Sequence, residues 1–106
     1  MPQTVESVLL VDFLEASVVP GLVNDTYILI VKGEKPYINM QVRLIPRVYV
    51  VQPEYWDIEV VGTLPGIGLP ATEPYSVFIP LEGIRGTIGI KVIGSDKETS
   101  IDVPPV

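Results

Sequence analysis

Asp57 and Glu59 are the residues whose spacing comes closest to chemistry. They stand two apart in Tyr55-Trp56-Asp57-Ile58-Glu59-Val60, where the period of two puts both carboxylates on one face of an extended chain, with Cα atoms roughly 6–7 Å apart. Such a pair can hold a cation or act as acid and base on a glycosidic bond, but that reaction needs carboxyls on both sides of a cleft. One strand supplies one side only, and the expected register hands Glu59 to Arg47 and Asp57 to the Tyr49 hydroxyl. Gly66-Ile67-Gly68-Leu69-Pro70-Ala71 has the letters of a G-x-G-x-x-A dinucleotide fingerprint. That motif works by opening a helix whose N-terminus meets the pyrophosphate, and Pro70 and Pro74 interrupt the stretch where the helix would run. Histidine and cysteine are both absent. No imidazole base, histidine-dependent triad, thiolate metal site or disulfide is therefore available within the chain. No D-x-D-x-D-G calcium loop occurs, and Asn24-Asp25-Thr26, although a formal glycosylation sequon, reads as a turn. The expectation is a non-enzyme with no catalytic, cofactor-binding or metal-ligating residues.

Aromatic side chains offer a different chemistry, that of a platform for a small ligand or a sugar. Trp56 alternates in phase with Ile58 and Val60 and is expected in the core. Tyr49 and Tyr55 fall on the opposite, outer face. The segment from Gly62 to Pro74 holds three glycines and three prolines and reads as a long connection, the kind of loop that often carries binding. Its Leu64, Ile67 and Leu69 are apolar for a loop. Tyr49, Tyr55, Leu64, Ile67 and Leu69 are the candidate ligand patch.

The elements that must position these residues are strands. Eleven prolines spread along 106 residues leave little room for helix, and the segments between them are rich in Val, Ile, Tyr and Thr. Eight strands are expected, near 7–14, 25–32, 38–45, 47–51, 55–61, 75–81, 86–93 and 98–103. Alternation in Ile38–Leu44, Trp56–Val60 and Ile88–Val92 gives one buried and one wetter face each, the mark of antiparallel sheets. Arg47–Val51 is expected to form a hairpin with Tyr55–Glu59, pairing Val48 with Ile58, Val50 with Trp56, Arg47 with Glu59 and Tyr49 with Asp57. A second hairpin should turn at Gly94–Lys97.

One domain of all-β class, an antiparallel two-sheet sandwich of about seven or eight strands, accounts for this layout. Leu81-x-x-Ile84-x-Gly86-Thr87-Ile88-x-Ile90 resembles the corner leading into the penultimate strand of an immunoglobulin-like domain. The resemblance covers about a quarter of the chain and implies a fold only. It carries no functional residue.

Charge and hydropathy narrow the partners. Seven basic against thirteen acidic residues give a net charge of −6, and the basic residues are scattered, which argues against nucleic acid. No apolar run approaches the ~20 residues of a membrane span. Met1–Ser7 has no basic region ahead of an apolar core, so no secretory signal is expected; with the lack of cysteine, this slightly favours the cytoplasm. Yet the mean hydropathy of +0.41 is high for so small a chain. In 7–14 both parities are apolar, Leu9, Val11 and Phe13 against Val8, Leu10 and Leu14. In 25–32, Ile28 and Ile30 oppose Tyr27, Leu29 and Val31. A sandwich buries one face of each strand, so Val8, Leu10, Leu14, Ile28 and Ile30 are the candidate interface, for a second copy or a protein partner.

Overall fold

A computed structural model describes residues 6–104; Met1–Val5, part of the segment read above for a signal, lie outside them. Among the described residues there are eight strands and no helix: β1 (Glu6–Leu10), β2 (Glu15–Pro20), β3 (Tyr27–Tyr37), β4 (Gln41–Pro46), β5 (Tyr55–Pro65), β6 (Pro70–Pro80), β7 (Gly89–Ile93) and β8 (Glu98–Asp102). Proline punctuates them, ending β2, β4, β5 and β6 and opening β6, because it cannot donate the next ladder bond. Among the described residues no helix is long and apolar enough to cross a membrane.

The strands form two sheets. One is five-stranded: β5 has β4 along one edge, and along the other β1 beside its C-terminal half and β7 beside its N-terminal half, with β8 outside β7. The other sheet has the order β2-β3-β6, antiparallel throughout. Ile58, Val60, Ile90 and Val92 of the first face Leu29 and Val31 of the second, and all six are fully buried. The all-β two-sheet fold is therefore as expected. One pair departs from it: β5 and β7 run parallel, Tyr55 opposite Gly89 through Glu59 opposite Ile93. On the other side of β7, Gly89 lets β8 lie close, since a side chain there would collide with the Ile101 carbonyl of β8.

Three boundaries fall elsewhere than the pattern suggests. The apolar run 7–14 is not one strand. Val11 still donates to the Val60 carbonyl of the five-stranded sheet, whereas Leu14 donates to Lys32 of the three-stranded one. The chain changes sheets between them, and Val11 and Phe13 are buried at the crossing. The other parity, Val8, Leu10 and Leu14, stays exposed. Glu15–Pro20 then pairs with β3 as a strand the sequence pattern leaves in a connection. Gly62–Pro74 is mostly strand, leaving only Gly66–Leu69 as the link between sheets; Asn39 clamps it, donating to the Ile67 carbonyl and accepting from the Leu69 amide.

Arg47–Val51 is the third correction. β5 takes β4 as its edge partner, with Ile45 opposite Glu59, and the last rung runs from the Arg47 amide to the Asp57 carbonyl. Arg47 thus lies two residues from its expected register. A slip of two preserves the face, so its guanidinium still reaches Asp57 at 2.9 Å and Glu59 at 3.8 Å. Val48 and Val50, expected in the core, are instead exposed in the loop that follows. The Gly94–Lys97 turn is present, closed by the Gly94 amide on the Lys97 carbonyl.

Candidate interaction surface

Backbone register decides which residues share a face. In the three-stranded sheet, Val19, Ile28 and Pro80 form one outward cross-strand row, Ser17, Ile30 and Phe78 the next, and Glu15, Lys32 and Ser76 the third. The inward rows, Val18-Leu29-Ile79 and Ala16-Val31-Val77, pack on the core. Ile28 and Ile30, flagged from the sequence, are half-buried by their neighbours, while Phe78 on the edge strand β6 is 70% exposed. Phe78 is the residue sequence reasoning passes over. Its signal is parity, because Tyr75, Val77 and Ile79 claim the inner face and leave position 78 outward.

The β2–β3 turn extends this face. Gly21 and Thr26 close it with a backbone bond, the Thr26 hydroxyl donates to the Val23 carbonyl, and Asp25 adopts a left-handed φ of 65°. Asparagine and aspartate tolerate that region best after glycine. Leu22 and Val23 are thereby held at the tip, Leu22 wholly exposed and Val23 at 70%. Between the tip and the sheet face lies an open concavity of about 270 Å³, walled by Leu22, Val23, Ile28 and Pro80, with Glu82 at its edge.

The β6 edge of this sheet is a poor docking strand. Leu81 donates to the Tyr27 carbonyl, which makes the odd-numbered residues of β6 the ones bonded to β3 and turns the even-numbered peptide groups outward. Pro74 and Pro80 fall on that outward set, and beyond the bulge so does Pro70. Only Thr72, Ser76 and Phe78 can donate along the edge. Proline in these positions blunts edge-to-edge pairing.

The other predicted residues do not converge. Val8 and Leu10 are exposed, but they flank Val61 and Thr63 on the outer face of the five-stranded sheet, the opposite side of the sandwich from Ile28 and Ile30. Leu14 is exposed just past the sheet crossing. Leu64 is buried in β5 and unavailable to a surface ligand. Tyr55 opens β5 and Ile67 follows its far end, so roughly 30 Å of strand separates them, and Leu69 lies beyond Ile67. Tyr49 packs edge-on against Trp56, ring centroids 5.0 Å apart, and the indole donates to the Arg47 carbonyl. The Tyr55 hydroxyl donates to Asp102 at 2.7 Å, and that bond, with the negative charges of Asp102 and Glu54, raises its pKa. Asp57 and Glu59 share Arg47, as a solvated cross-strand pair would. No helix follows Gly66-Ile67-Gly68, because Pro70 starts β6.

A second groove of about 280 Å³ opens beside the sheet crossing, between Leu9, Leu10 and Met40, with Asp12 and Glu34 on its walls. The Tyr75 hydroxyl donates to the Asp12 carbonyl at 2.8 Å there. Burial, reinforced by the Asp12 charge, pushes the Tyr75 phenol up to about 12. Among the described residues no cluster of acidic side chains suits a metal ion.

Compared with known proteins, the chain matches no family model, no curated protein and no solved structure. What the surface can do must be argued from its own chemistry. It offers apolar area and a concavity, with almost no hydrogen-bonding groups to orient a polar ligand, and so suits apolar side chains of another polypeptide.

Proposed function

We propose that this chain is a non-enzymatic structural or protein-interaction module that assembles through apolar strand surface, and that the outer face of the β2-β3-β6 sheet is the working surface. The observation that carries the reading is Phe78. A phenylalanine left 70% exposed on the outward face of a strand, beside Ile30 and next to an apolar concavity, is unfavourable in water and gains ~1.5–3 kcal/mol when covered. Val19, Ile28, Pro80, Leu22 and Val23 extend it into a continuous patch of the kind that marks contact sites. The sandwich itself we read as immunoglobulin-like. Support comes from the corner at Leu81–Ile90, where Leu81 is buried, Ile84 packs on the core and donates its amide to the Leu81 carbonyl, and β7 begins. The parallel β5–β7 pair is a departure from the two antiparallel sheets of that fold.

A photo-crosslinking residue placed at position 78, with a control at outward Ser100 on β8, tests the working surface in cells that make the protein. A discrete adduct from position 78 and none from position 100 is expected. If neither position gives an adduct, the reading falls.

A further inference from the structure

The outer face of the three-stranded sheet carries both a projection and a hollow. Phe78 stands out from β6, and the concavity walled by Leu22, Val23, Ile28 and Pro80 begins two residues further along the same strand. An apolar cavity of about 150 Å³ accepts a benzene ring, so the roughly 270 Å³ here has room for a phenylalanine side chain. A knob and its hole on one surface meet the condition for an isologous contact, in which residue i touches j and j touches i across a two-fold axis.

We propose that two copies of this chain pack through these faces, each seating Phe78 in the concavity of the other. The proposal rests on the reading of this face as the working surface, and it names the partner.

Charge is compatible with a second copy. The chain carries −6 overall, which opposes self-association wherever acidic groups meet. On the strands of this face Glu15 and Lys32 stand directly opposite each other in register, Glu34 lies toward the end of β3 away from the concavity, and Glu82 lines the concavity, so the repulsion two copies must meet here comes from these two unpaired acids. The prolines of β6 favour the same geometry. They block growth by edge pairing and leave a closed, face-to-face dimer. The face is small, three strands about 4.8 Å apart and about 20 Å long, which places the contact among weak, transient ones, with dissociation in the micromolar range.

Sedimentation equilibrium of the full chain from about 1 to 300 μM tests this, with Phe78→Ala removing the knob and Val23→Glu placing a charge in the hole. Both positions are exposed, and thermal melts will show whether either substitution disturbs the fold. The wild type should approach twice the chain mass. Each variant alone should dissociate at least tenfold more readily, and an equimolar mixture should recover dimer, because the intact Phe78 of one variant meets the intact hole of the other. A wild type that stays monomeric throughout overturns the proposal, as does a dimer that neither substitution weakens or a mixture that recovers nothing. A monomer that still crosslinks from position 78 to a different protein overturns the second copy while leaving the interaction module standing.

Discussion

Thr63 sits in the outward register of β5, yet only 7% of it reaches solvent and its hydroxyl has no partner. Val8 of β1 and Gln41 of β4, directly opposite it on either side, close over it. An unsatisfied buried hydroxyl is costly, so Thr63→Val should stabilise the protein by about 1 kcal/mol in urea denaturation; a loss of stability would mean the hydroxyl is bonded after all. Tyr75 is the opposite case, with its hydroxyl bonded to the Asp12 carbonyl at 2.8 Å. Tyr75→Phe should cost about 1 kcal/mol. Its phenol titrates near 12 rather than 10, so between those values the unfolded chain has lost a proton that the folded chain keeps. Stability therefore falls as pH rises through that window. Comparing denaturation at pH 9 and pH 11.5 should show a smaller drop in the phenylalanine variant than in wild type. The pairing of Arg47 with Glu59 was legible in the sequence because the side-chain face survives a two-residue slip; the shorter bond to Asp57, a residue the sequence pattern pairs with Tyr49, came from that slip. Thr63 was not, because nothing local says that an outward position will be roofed over.

Strands were legible where alternation was clean and illegible where the chain changed partners. Trp56–Val60 and Ile28–Val31 face as their parity dictates. Residues 7–14 and 47–51 have equally apolar sequences, but the first crosses between sheets and the second lost its place on β5 to Gln41–Pro46. Competition for an edge is a tertiary matter. The prolines of β6 make a prediction at this scale. If their outward placement is what silences the edge, Pro74→Val with Pro80→Val will restore two edge donors and extend a run of β-formers. That double variant should aggregate faster on agitation, with rising thioflavin fluorescence. An unchanged lag time would mean that the edge is silenced by something else.

At the scale of the molecule, an acidic chain carries a largely apolar face, and the two have opposite effects on association. Raising salt screens the net charge, with a Debye length of about 10 Å at 0.1 M and about 3 Å at 1 M, and leaves apolar burial intact. Self-association through the three-stranded sheet should therefore strengthen a few-fold over that range, measured by sedimentation. Weakening with salt would point to ion pairs as the contact. The candidate ligand patch also meets its limit here: Tyr55 opens β5 and Ile67 lies past its far end, a separation set by eleven consecutive strand residues. By itself the sequence determined the all-β class, the inward and outward sets within most strands, and the lack of imidazole and thiol chemistry, because residue type and a period of two are local properties. Only the tertiary structure decided which outward sets lie together. It put Val8 and Leu10 on one side of the sandwich and Ile28 and Ile30 on the other, and it brought Phe78 beside the Leu22–Val23 turn, because strand order and register join segments more than fifty residues apart in the chain.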